Sequence, residues 1–170
     1  MVNEKVAELL NTQVNKEFYS AYLYLAFSNY FSDAGLDGFA NWYQIQAQEE
    51  RDHAMLFVQY MQNNDIPVTY EAIEQPKFDA NEHIDILKAA LNHERYVTGL
   101  IHNIYGAASD AKDFRTMQFL DWFVKEQGEE EKNASELVKR FDLFGHDPKG
   151  LYMLDSELAA RVYAAPSLVL

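Results

Sequence analysis

There is no cysteine in this sequence. That absence excludes disulfides, thiolate-held zinc, iron–sulfur clusters and cysteine nucleophiles together. Glycine and proline are scarce, 7 and 4 in 170 residues, so few positions interrupt the backbone and long helices are favoured over many short strands. No run of ~18 apolar residues is present, so no membrane span is expected. The first residues, MVNEKVAELL, lack a basic stretch followed by an apolar one, so no signal peptide is expected and a cytoplasmic location follows by default. Positive charge is also short: 14 Lys and Arg stand against 27 Asp and Glu, for a net charge of −13. A nucleic-acid binder needs a basic face, and none is visible. An excess of acid serves solubility in any protein, and it also attracts cations.

Apolar residues make up 48% of the chain, enough for one domain spanning 1–170 with a substantial core. Helical periodicity predicts four long segments at about 3–31, 37–63, 81–108 and 113–144. Ser32-Asp33-Ala34-Gly35 ends the first, and Asn63 to Pro67 stops the second. Asp147-Pro148 reads as a cap with proline in the first turn, so a short fifth helix is expected at about 149–162. Short links make segments one and two antiparallel neighbours, and likewise three and four. About 17 residues join two to three. A 28-residue helix is ~42 Å long and such a link can reach ~55 Å, so it can cross the whole bundle. The expected fold is all-α, a four-helix bundle with one long crossover.

Acid interrupts the apolar stripes. Glu17 follows Leu10 and Val14 in phase, and Glu94 follows Leu87 and Leu91. Buried carboxylates are costly unless paired or metal-bound, and no Lys or Arg lies on the seams to pair with them. Glu17 precedes Glu50 by 33 positions and His53 by 36; Glu94 precedes Gln127 by 33 and Glu130 by 36. The two halves therefore superpose at an offset of 77, which also pairs Glu49 with Glu126 and Trp42 with Phe119. Each half gives one acid from its first helix and a pair at i, i+3 from its second, and such pairs share a helix face. All lie near mid-helix, so they meet at one depth.

Four carboxylates, one imidazole and one amide are hard to borderline ligands, suited to iron or manganese, with zinc competing. Four carboxylate charges balance two divalent ions. Glu50 is the natural bridge, since it shares a turn with His53 and can face a second ion. Two ferrous ions side by side can supply two electrons to dioxygen.

With these residues in place, the sequence resembles the bacterial haem-free ferritins. The stretches NKEFYSAYLYLA, EERDH, NHERYVT and EQGEE and the short last helix carry the resemblance over nearly the whole chain. It implies a ferritin-like bundle in which Glu17, Glu50 and His53 hold one iron and Glu50, Glu94 and Glu130 a second, with Gln127 beside it. It implies a third iron site at Glu49, Glu126 and Glu129 with Glu130, and a site tyrosine at Tyr24. It further implies ferrous oxidation by dioxygen or hydrogen peroxide, ferric mineral storage, self-assembly into a shell of 24 subunits, and no haem. Bacterioferritins carry His at the position of Glu130 and their haem-binding Met at that of Arg51, so Met55 and Met61 read as packing residues. Trp122 reads as core. His83, His93, His102 and His146 show no ligand spacing and read as surface or local polar groups. Two other functions stay open: an iron-buffering cage whose metal site is structural, and a di-iron oxygenase of an organic substrate.

Overall fold

The computed structural model describes residues 2–170 and, among them, five helices and no strand: α1 Glu4–Asp33, α2 Asp37–Asn63, α3 His83–Asp110, α4 Phe114–Phe144 and α5 Pro148–Leu158. Side chains close the helix starts. Asn3, Asp113 and Asp147 each accept from backbone N–H groups of the first turn, and Glu82 with Asp85 forms a reciprocal capping box. Gly35 sits at φ 75°, a left-handed conformation that lets α1 stop and α2 begin two residues later.

The link between α2 and α3 runs along α1. Asn11 Oδ1 accepts from Thr69 N at 2.7 Å, Asn15 Oδ1 accepts from Glu71 N at 2.8 Å, and Phe78 packs edge-on against Phe27 with ring centroids 5.0 Å apart. It delivers His83 to Tyr30, 3.1 Å away, at the far end of α1. The crossover is therefore real, and α2 and α3 run parallel while α1 and α4 run the other way.

The apolar core is cut in two. One half holds Phe27, Phe31, Phe39, Leu87, Leu137 and Phe141. The other holds Val14, Phe57, Val97, Ile101, Phe119 and Phe123. Between them all four long helices turn buried polar groups inward, including Glu17, Glu50, His53, Glu94, Gln127 and Glu130. This layer separates the two halves at mid-bundle, where the repeat places it. Met61 is fully buried as expected, but Met55 is 40% exposed on the outer side of α2 and does not pack in this core.

The fifth helix corrects the sequence expectation. It ends at Leu158, four residues short of Val162. The remaining chain turns back along α2 and α4 as an extended strap. Its Arg161 guanidinium donates to Trp42 O at 3.1 Å and to Gln46 Oε1 at 3.0 Å. Nothing in Glu157-Leu158-Ala159-Ala160-Arg161 forbids helix; tertiary hydrogen bonds to α2 outweigh a good local propensity.

Candidate metal centre

Each member of the layer is 1–6% exposed, so each must find a partner inside the bundle. Glu17 Oε1 accepts from Gln13 Nε2 at 2.7 Å. Glu50 accepts from Gln46 Nε2 at 3.1 Å, and the same amide donates to Glu130 Oε2 at 2.9 Å. The Tyr24 hydroxyl donates to Glu94 Oε1, and Gln127 Nε2 donates to Glu94 Oε2 at 3.3 Å. His53 Nδ1 lies 3.6 Å from Glu50 Oε2, an ion-pair distance too long for a hydrogen bond.

Two atoms are left over. Glu17 Oε2 and His53 Nδ1 are the only fully buried side-chain N or O atoms among the described residues without a hydrogen-bond partner. Both are on residues of one group: Glu17, Glu50 and His53 each offer a ligand atom, all within 4.8 Å of one another. Orphaned buried polar atoms are expensive, and a cation that displaces the imidazole proton would satisfy both. His53 also belongs to a second group of the same tightness, with Glu126 and Glu130. A small cavity of about 20 Å³ lies among Tyr24, Gln46, Glu94 and Glu130, room for one water or ion.

Charge crowding is severe. Burial, and then the charge of Glu50, push Glu17 up to about 8, and the same two causes push Glu130 up to about 8. Burial and Glu50 also hold Glu94 well above the usual carboxylate range. Burial works against charge at Glu50 too, but His53, Glu17 and Gln46 outweigh it and lower this one carboxyl. Burial alone would lower His53, whereas Glu50, Glu17 and Glu130 push it up to about 10. The metal-free centre is thus organised around an ionised Glu50 beside a protonated imidazole.

This has a consequence for stability. Carboxyls whose folded value rises from 4.5 to about 8 favour folding fully below pH 4.5, and that contribution is lost as pH rises through 8. His53 extends the loss towards pH 10. We expect the melting temperature of chelated protein to fall steadily between pH 6 and 9. Added Co²⁺ or Zn²⁺ should reverse the fall, and by more at pH 8 than at pH 6, because binding displaces protons. A flat or rising profile for the chelated protein, measured by thermal scan, would contradict the assigned charges.

The repeat's six residues are all brought together, with Tyr24 on Glu94. The expected third set lines one cavity but does not form one tight ligand group. Glu126 joins His53 and Glu130. Glu49 is bound by Arg161, 2.5 Å away, and Glu129 is exposed and pairs with Lys125 at 3.6 Å. Trp122 packs edge-on against His53, centroids 5.6 Å apart. The histidines without ligand spacing make local polar contacts where they are partly buried, as in Ser20 Oγ to His93 Nε2 at 2.7 Å. Gln13, Gln46 and Arg161 were missed. Both glutamines stand one helix turn before an acid of the layer, a spacing the sequence does display.

Fold and site together define a four-helix bundle with a carboxylate–histidine centre. Residues 7–144 match the family model described as Ferritin-like domain. A probable bacterial non-heme ferritin-like protein of Haemophilus influenzae is 34% identical over 158 residues, covering 93% of this chain and 96% of that one. The bacterial non-heme ferritin of Staphylococcus haemolyticus is 34% identical over 163 residues, covering 96% and 98%. Among solved structures, a closed form of the Archaeoglobus fulgidus ferritin made by site-directed mutagenesis aligns with a TM-score of 0.94 and 40% identity, covering 96% of this chain and all of that one. The chain belongs to the ferritin family.

Proposed function

We propose that this protein stores iron and oxidises it on the way in. Ferrous iron is the substrate. Glu17, Glu50 and His53 hold one ion; Glu50, Glu94 and Glu130 hold the second, with Gln127 and Tyr24 fixing Glu94. The observation that carries this reading is the pair of orphaned buried atoms, Glu17 Oε2 and His53 Nδ1, on two residues of one ligand group. Ion entry displaces protons from Glu17, Glu94 and Glu130 and from the His53 imidazole, leaving four carboxylates to balance two divalent ions. Each ferrous ion then gives one electron, and dioxygen with two protons becomes hydrogen peroxide; peroxide itself is the alternative two-electron acceptor. The ferric product leaves for storage.

Storage requires assembly, and the chain carries surfaces for it. Phe114, Leu143, Phe144, Tyr152 and Met153 are more than half exposed near the bundle ends and on α5. Such apolar exposure suits subunit contacts, here in a homo-oligomeric shell of 24 copies. No described helix is long and apolar enough to cross a membrane. The acidic cavity beside the centre suits a hydrated cation better than an organic substrate. Anaerobic titration with ferrous iron followed by an oxygen pulse tests the reading. Two ions per subunit, oxidised together within the first turnover, are expected. Tight binding without oxidation would favour a structural or buffering centre instead.

A further inference from the structure

A cavity of about 240 Å³ opens beside the centre, between α2 and α4. Its walls include His53 and Glu130 from the layer and Glu49, Glu126 and Glu129 outside it. Residues 164–167 of the C-terminal strap form the remaining side. The strap is tied at three points. Arg161 is held by Trp42, Gln46 and Glu49 and lies 4.2 Å over the Trp42 ring. The Tyr163 hydroxyl donates to Asp52, and Trp122 Nε1 donates to Ser167 Oγ at 2.9 Å.

Arg161 is the one guanidinium or ammonium group among the described residues of this acidic wall, and it comes from outside the four-helix bundle. Its side chain is 16% exposed and Glu49's is 18%, so their attraction is only weakly screened by solvent. Two of its donors meet Gln46 Oε1. That fixes the amide so that Nε2 faces Glu50 and Glu130. The guanidinium therefore spans the boundary between the two-ion centre and the outer acids.

We propose that Arg161 is a tethered counter-cation that competes with a metal ion for Glu49, so that a third ion is held in the cavity only as the strap yields. This rests on the two-ion reading above. A mobile ion and a covalently attached one cannot both neutralise Glu49 at full strength, and the attached one is always at hand. The strap thereby sets the order of filling, with the inner pair first and the outer ion last.

Anaerobic calorimetric titration of the full chain with Co²⁺ alone tests this, because it counts ions without turnover. The wild-type chain should take two ions tightly and a third weakly. Arg161→Ala should tighten the third roughly tenfold or more. Arg161→Lys keeps a cation on the strap and should return most of the way to wild type. Tyr163→Phe removes no charge from the cavity and loosens only the strap's exposed end; it should tighten the third ion slightly, which keeps the test open if Arg161→Ala folds poorly. A third-ion affinity in Arg161→Ala no tighter than wild type overturns the proposal. Equal tightening in Arg161→Ala and Arg161→Lys also overturns it. If the wild-type chain takes fewer than two ions, the two-ion reading itself fails and the strap proposal falls with it, a result distinct from failure at the third ion alone.

Discussion

Replacing Glu50 with alanine is expected to abolish paired metal binding and to slow ferrous oxidation by at least ~100-fold. Glu50 is the acid of the layer that burial does not neutralise. Its charge is a cause of the raised values at Glu17, Glu94 and Glu130. It is also the ion-pair partner of His53 and an acceptor for Gln46. On the proposed two-ion reading neither ion would keep its bridging ligand, and His53 would lose the carboxylate 3.6 Å from its Nδ1. The fold should survive, because Glu17 and Glu130, freed of the Glu50 charge, ionise more readily and can partner His53 in its place. A helical protein of unchanged assembly that binds one ion or none is the expected product. Stopped-flow oxidation within a few-fold of wild type would remove Glu50 from its assigned role.

The second large effect concerns the fifth helix. A methyl group on Gly38 would stand 1.7 Å from the backbone oxygen of Asp155 and 2.6 Å from its carbonyl carbon. No rotamer change can clear a backbone atom, so Gly38→Ala must push α5 off the start of α2. The hydrogen bond from Phe39 N to Asp155 Oδ1, now 3.0 Å, would break. Leu154 and Leu158 would lose their burial, at about 1.5–3 kcal/mol each. A melting temperature lower by ~6–24 °C follows for a domain of this size. Limited proteolysis should cut first around residues 145–160. Wild-type melting and protection would show that α5 docks elsewhere.

The contrast between these two sites shows what the sequence displays. The layer was legible because two independent periodicities coincide there. Helical phase put Glu17 and Glu94 on apolar stripes, and the 77-residue offset repeated the pattern in α2 and α4. The boundaries of α2 and the cap Asp147 were legible too, because capping chemistry is local. Gly38 was not, since its close approach to Asp155 depends on where a distant helix lands. Arg161 was hidden for the same reason. Its segment has helix-forming residues, and its departure from helix is decided by Trp42, Gln46 and Glu49, more than 110 positions earlier. The absence of basic residues on the seams was a correct reading of the four helices. The cation that serves Glu49 arrives from the chain's end.

That late arrival sharpens the asymmetry of the centre. The repeat alone predicts an imidazole on one ion and carboxylate on the other, with outer acids crowding the second. His53 belongs to both groups, with Glu17 and Glu50 in one and with Glu126 and Glu130 in the other. The outer acids are divided as well: Glu126 groups with His53 and Glu130, Glu49 is engaged by Arg161, and Glu129 reaches solvent.

The most direct test of the central claim is anomalous diffraction at the iron edge from crystals soaked anaerobically in ferrous iron. Two peaks are expected inside each bundle, one bounded by Glu17, Glu50 and His53 and the other by Glu50, Glu94 and Glu130. A bundle interior with no peak, or with iron only at surface carboxylates, would contradict it.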